Sequence, residues 1–394
     1  MSWPTATLDS ISEVVRGVTF SKADAENDLR EGLLPVLRAG NIAETLNIES
    51  DLVYVDQGRI SEKQRLRPKD IVVCTSSGSA SVLGKSAMLE QEWQGSFGAF
   101  LATVRTDSHV ADPDFVGHYL RSPRFRAWAS NSAGIGIKNI RASDLKKVEI
   151  PLPPLEEQKR IAGILDQAAE LCRLRTRSLD KLSTLGQAIF HEMFGDPATQ
   201  TTATLIDIVT KGDKINYGVV QPGDDVVEGI PLLRAGDILS PGLDPKDFRR
   251  VAAEVDAKHK KSRLKGDEIL IACVGSIGSI TLAHQGLKGV NIARAVARVP
   301  VDKKLANRVF IASQLKSQAV QNYFQREIRL VAQPTLNIKQ ITEAPIFLPS
   351  LASQEAFAAR LSTLDGNIEK AVFSLRRAGA LFASLQHRAF RGAL

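Results

Sequence analysis

Two stretches of the chain space their apolar residues by alternating steps of four and three. The first runs Ile161, Leu165, Ala168, Cys172, Arg175, Leu179, Leu182, Gly186, Ile189, Met193. The second runs Phe357, Leu361, Leu364, Ile368, Ala371, Leu375, Ala378, Phe382, Leu385, Ala389, each position 196 residues further on. Only Arg175 and Gly186 interrupt the pattern. A narrow apolar stripe of this length predicts a long helix that needs a helical partner. The other copy is the obvious one; packing of each helix on its own globular neighbour is the plainer alternative. Ahead of each helix the pattern changes. Short β-like runs alternate with Gly, Pro, Asn and Asp turns, as in LRPKDIVV (66–73) and LKGDEILI (264–271). One stretch, DPDFVGHYLRSPRFRAWAS (112–130), reads as helix.

The two halves share more than their helices. LRAGNI (37–42) returns as LRAGDI (233–238), and ATL (6–8) as ATL (203–205). The small polar loops SSGSAS (76–81) and VGSIGS (274–279) follow matching runs. KNIRASDL (138–145) lies opposite PTLNIKQI (334–341), and IPLPPLEEQ (150–158) opposite IFLPSLASQ (346–354). A domain-sized period means duplication rather than a solenoid. The expected fold is mixed α/β, with two tandem globular domains, each followed by a long helix. The helices are expected to form an antiparallel coiled coil with pseudo-two-fold symmetry. The expected boundaries are 1–153 and 197–349 for the globular domains, and 154–196 and 350–394 for the helical regions.

Composition narrows the class. The 394 residues are 43% hydrophobic and 24% charged, enough for two cores. Aromatics at 6% argue against a surface built mainly of stacking rings. Cys74, Cys172 and Cys273 are far apart and form no CxxC, which excludes a disulfide framework and a thiolate zinc site and fits a reducing cytoplasm. The start, MSWPTATLDS, has neither a basic nor an apolar segment of a signal peptide, and no apolar run approaches membrane-spanning length. The expected location is the cytoplasm. Net charge is +7, unevenly placed: residues 1–197 hold 24 Lys and Arg against 26 Asp and Glu, residues 198–394 hold 27 against 18. The basic second half permits a nucleic-acid partner without demanding one.

Catalytic motifs fail one by one. SASVLGKS (79–86) approaches a phosphate-binding loop, but Ser79 stands where glycine is needed and no apolar helix follows. The second copy has no lysine there. Glu157 and Lys159 sit in a first helical turn, where Glu157 suits the helix dipole. The second copy has Ser353 and Glu355 instead, so no acid–lysine nuclease pair is shared. No glycine-rich cofactor turn accompanies a polar-Pro-Pro-aromatic loop of the kind DNA amino-methyltransferases use. Six scattered histidines lack zinc spacing, and His191 and His387 match across the repeat on the long helices, as surface or interface residues. No enzyme activity is expected of this chain.

A β-rich domain, then IPLPPLEEQKRIAGILD and a long helix, then the same order again, resembles the DNA-specificity (S) subunit of Type I restriction-modification systems. The resemblance covers the whole chain. Its second copy departs at Ser350, Ala352 and Ser353, where the first has Pro154, Glu156 and Glu157. The resemblance implies two target-recognition domains held by antiparallel helices, each reading half of a split double-stranded DNA target, with the helices as a ruler for the unread spacer. It implies two modification subunits that carry S-adenosylmethionine, and restriction subunits that carry the nuclease and the ATP- and Mg²⁺-dependent translocase. No cofactor or metal is expected on this chain. A coiled-coil scaffold with two protein-binding heads is the alternative.

On the DNA-reading view, the candidates are polar residues in repeated phrases and loops. Arg38, Asn41 and Arg234 lie in the repeated phrase, which reads equally well as a structural turn. Ser77, Ser79, Lys85 and Ser276 lie in or beside the small loops. Lys138, Asn139 and Arg141, and Gln333, Thr335, Asn337 and Lys339, lie ahead of the long helices and face DNA or solvent. Lys258, Lys260, Lys261 and Arg263 form a dense basic cluster suited to phosphate or simply solvated. The helix–helix seam is assigned to Ile161, Leu165, Leu179, Leu182, Ile189, Phe357, Leu361, Leu364, Ile368, Leu375, Phe382 and Leu385.

Overall fold

The computed structural model describes residues 3–79, 81–132, 138–195, 202–240, 242–328 and 334–394. The chain divides into two compact units. One is Met1–Thr176 with Phe373–Leu394, and the other is Arg177–Val372. Each unit therefore holds one globular head and a segment of both long helices, Leu155–Phe194 and Leu351–Ala389.

In the first unit an antiparallel sheet runs in the order Ser12–Arg16, Leu101–Thr106, Ile71–Cys74, Ser86–Met88. Ile71-Val-Val-Cys74 is buried throughout, as a central strand covered on both faces must be. A second sheet sets Ala25–Glu26, Val53–Asp56, Leu33–Leu37 and Ser96–Phe97 side by side, with Leu33–Leu37 parallel to Ser96–Phe97. The stretch 112–130, read as one helix, is two: Pro113–Leu120 and Pro123–Ser132. Pro123 has no N–H to continue the first, and the break falls at Arg121–Ser122. Asp112 caps the first helix by accepting from the Phe115 amide (2.9 Å).

The second unit rebuilds this frame. Its sheet runs Asn216–Tyr217, Val296–Val299, Ile269–Ala272, Ile280–Leu282. Ile230–Leu233 again pairs parallel with the strand that leads into the central one, Asn291–Ile292. Helices Arg308–Leu315 and Gln318–Glu327 follow. The ATL echo becomes a closing strand in both heads: Thr5–Thr7 pairs with Glu149–Pro151, and Ala203–Thr204 with Pro345–Ile346.

Charge is buried at the same turn in both frames, by different means. Asp70, 1% exposed, is held by Arg105 (Nη2–Oδ2 2.7 Å). Glu268, fully buried, takes the equivalent place and is reached by Arg298 (3.3 Å), which also pairs with Asp213. Burial opposes ionisation of Asp213, but hydrogen bonds from Arg298 and Lys265 outweigh it and pull the carboxyl down to about 2.

Every residue of both four–three stripes is buried or half-buried. In the first unit Arg175 hydrogen-bonds Ser374, while Ile161 and Leu165 share a core with Ala389 and Phe390. In the second, Phe190 meets Phe357 (centroids 5.5 Å) and Glu192 meets Arg360. Low numbers on one helix thus face high numbers on the other in each unit, so the segments run antiparallel. Gly186, which interrupts the first stripe, sits against Leu361 and Leu364, where a small residue lets the helices approach.

Each helix ends in the head of the other repeat. Phe194, closing the first long helix, packs on Phe310 (5.0 Å) in the second head. Phe390, just beyond the second, packs on Phe115 (5.4 Å) in the first. The positions differ by 196, so one aromatic plug serves both heads.

Candidate nucleic-acid interface

The first head brings three of its candidate segments together through backbone bonds. The strand ending at Leu37, one residue before Arg38, accepts the Gly98 amide (2.9 Å). Phe100, two residues on, has its carbonyl bound by the Thr75 and Ser76 amides (2.9 and 3.1 Å) and by the Thr75 hydroxyl (3.1 Å). Ser76–Ser77 then pairs with Lys138–Asn139. The repeated phrase, the small polar loop and the segment ahead of the helix are therefore stitched to one turn, Gly98–Leu101, which is closed by a Leu101 N–H to Gly98 carbonyl bond (2.8 Å).

The second head repeats the stitching. The Leu233 carbonyl, ahead of Arg234, accepts from Ala293; the Ala295 carbonyl accepts from Cys273; the Cys273 carbonyl accepts from Leu336. A cleft of about 530 Å³ opens here, with Ser276, Arg326 and Pro334 on its walls.

Individual side chains differ in what they can offer. Arg38 is exposed but bound to Asp51 (2.6 Å), and Arg234 is exposed beside Asp237 (3.4 Å). Asn41 is a correction. It is fully buried, its carbonyl accepts the Arg38 amide, and its amino group donates to the carbonyls of Asn47, Ser50 and Asp51. No edge of it is left for a ligand, and the phrase owes its asparagine to this turn. Asp237 holds the Arg234 amide in the same way (2.7 Å).

Ser79 is exposed and bonded to Ser81; Ser77, Lys85 and Ser276 are half-buried. Asn139 and Arg141 are exposed, the latter at the N-cap of a short helix. Gln333 lies outside the described residues. Thr335 is half-buried, Asn337 caps Ile338–Thr342, and Lys339 is exposed. Arg263 is spent on the buried carboxylate of Asp256. Lys258, Lys260 and Lys261 are exposed, and no described carboxylate pairs with them. Their turn is held to the sheet by Ser262 on Asn291 (2.6 Å) and by the Lys261 carbonyl, which accepts from Arg298 (3.1 Å).

Reactive groups are placed differently. Lys85 leads into a strand, Ser86–Met88, rather than a phosphate-binding helix. Glu157 and Lys159 are engaged with Arg160 and Glu156. Burial raises the Cys74 thiol and pushes Cys273 up to about 12. Among the described residues no cluster of three His, Cys, Asp or Glu is arranged to hold a metal, and no helix is long and apolar enough to cross a membrane.

The central turn leaves no mark in the repeat. SFGAF and NIARA match at a shift of 195, one residue off the shift that aligns the helices, and share no identical residue.

Two heads on one frame, each gathering polar loops at one turn and each clasped by both helices, define a duplicated, two-headed reader or scaffold. The family described as Type I restriction modification DNA specificity domain matches residues 2–184 and 206–372. The chain belongs to that family. It is 27% identical to the Type I restriction enzyme EcoBI specificity subunit of Escherichia coli, over all of this chain and 86% of that one. It is 28% identical to the StySPI specificity subunit of Salmonella potsdam, over all of this chain and 89% of that one. The S subunit of a Type I system from M. genitalium has the same fold (TM-score 0.58, 20% identity, 99% of this chain and 96% of that one). So does a chain solved in a study of complex assembly in the type I R-M system (TM-score 0.59, 17% identity, 100% and 98%).

Proposed function

We propose that this chain is the non-catalytic sequence-reading subunit of a Type I restriction-modification complex. Each head reads one part of a bipartite double-stranded DNA target. The helices set the length of the unread spacer and carry two modification subunits, with restriction subunits joining the assembly. S-adenosylmethionine, ATP and Mg²⁺ belong to those partners, and the complex works in the cytoplasm. The observation that carries this reading is the duplication of one stitched loop cluster on two heads that differ in the polar and charged residues they expose. A protein that reads two different half-sites needs a common frame with unlike surfaces.

The test is a footprint of the chain assembled with its modification subunit. The reading requires two protected patches on DNA, separated by a stretch whose sequence can be changed without loss, and an affinity whose logarithm falls linearly with the logarithm of salt. A single continuous patch, or no salt-sensitive binding by an active complex, would overturn it.

A further inference from the structure

The central turn carries different chemistry in the two heads. Superposing the frames through their matching bonds sets Gly98 on Ala293, Ala99 on Arg294, Phe100 on Ala295 and Leu101 on Val296. Gly98 and Ala293 each donate to the end of the repeated-phrase strand, and Leu101 and Val296 each close the turn. A glycine underlies both: a Cβ on Gly17 would collide with the Gly98 carbonyl, and one on Gly218 with the Ile292 carbonyl. The backbone path and the bonds that close it are thus shared, while the side chains it presents are not.

Phe100 is 67% exposed. One exposed phenylalanine is ordinary on any surface. This one projects from a carbonyl held by three hydrogen bonds, at the point where every stitched candidate segment of its head meets. Arg294 is exposed at the neighbouring place in the second head, and no described carboxylate pairs with it. Its amide is fixed to the Val219 carbonyl (2.8 Å), so the backbone beneath the guanidinium is set in advance.

We propose that the turns Ala99–Phe100 and Arg294–Ala295 are specificity determinants of the two heads. This rests on the DNA-reading function proposed above. Phe100 makes apolar contact with a thymine methyl in one half-site. Arg294 reads a guanine through its O6 and N7 in the other, the pairing its planar fork suits. The shared frame fixes where the contact falls, and the turn residue decides which base is accepted.

The experiment maps methylated positions on a genome-scale DNA library for the assembled complex, parent and variants. Phe100→Ala is expected to relax one T·A position in one half-site. Arg294→Ala is expected to relax one G·C position in the other, each by on the order of 10-fold to 100-fold in discrimination. The untouched half-site and the spacer stay as in the parent. Relaxation confined to one position marks a base contact, because a bond to phosphate would weaken every site alike. An unchanged motif in the alanine variants, or a uniform loss at every site, would overturn the proposal. A parent complex without a bipartite motif would instead sink the DNA-reading function itself.

Discussion

Gln158 and Gln354, 196 residues apart, make the same two hydrogen bonds. Gln158 accepts from the Asp112 amide (2.9 Å) and donates to the Pro153 carbonyl (2.8 Å). Gln354 accepts from the Asn307 amide (2.9 Å) and donates to the Pro349 carbonyl (2.8 Å). Both are buried. Asp112 and Asn307 are the N-caps of equivalent helices, so each glutamine bolts the start of a long helix to the helix on its own head. This is why the glutamine survives in the degenerate LPSLASQ phrase while the neighbouring acids do not.

Replacing Gln158 or Gln354 by leucine leaves a half-buried amide and a backbone carbonyl without their side-chain partner. Each change is expected to cost about 1–3 kcal/mol, read as a lower urea midpoint. An unchanged midpoint would mean that water takes over both bonds.

The aromatic plugs make a more selective prediction. Phe194→Ala and Phe390→Ala should each cost about 3–5 kcal/mol through the cavity they leave. The loss should appear in the head of the other repeat. Hydrogen exchange should speed up in Arg308–Leu315 for Phe194→Ala, and in Pro113–Leu120 for Phe390→Ala. The reverse assignment would contradict the crossed packing.

Much of this was legible in the sequence. The helices were, because a four–three stripe survives small changes of residue, and Gly186 and Arg175 proved compatible with it. The turn after Arg38 was one of the two readings its phrase offered, because that phrase is nearly identical in both copies. What could not be read was anything that depends on a partner distant in sequence. Asn41 looked like a base reader until the carbonyls of Asn47, Ser50 and Asp51 closed around it. The central turn escaped because its shift and its residues both differ between copies. Arg105 and Arg298 do similar work from non-equivalent strand positions, which no repeat alignment reveals.

Arg298→Met should destabilise the second head by about 3–5 kcal/mol, since it leaves Glu268 buried without its cation and Asp213 with Lys265 alone. The Asp213 carboxyl titrates at about 2 when folded, below its ordinary 3.8. Its contribution is therefore complete above pH 4 and lost as the pH falls from about 4 to 2. Urea midpoints across that window should fall more steeply for the parent than for the variant. A parent midpoint that rose on acidification would contradict this.

The unpaired lysines set the salt response on the proposed function. Changing Lys258, Lys260 and Lys261 to glutamine should lower the slope of log affinity against log salt for the complex. The expected decrease is about 0.9 for each phosphate that these lysines neutralise. The methylated motif should stay the same, because bonds to phosphate position the protein without specifying sequence. An unchanged slope would mean that these lysines are only solvated.

On the proposed function, two heads of one frame read two separate pieces of DNA. The decisive measurement is a base-resolution methylation map of DNA modified by the chain and its modification subunit. The expected result is a motif in two specific parts with a spacer of fixed length and free sequence. A single continuous motif would contradict it.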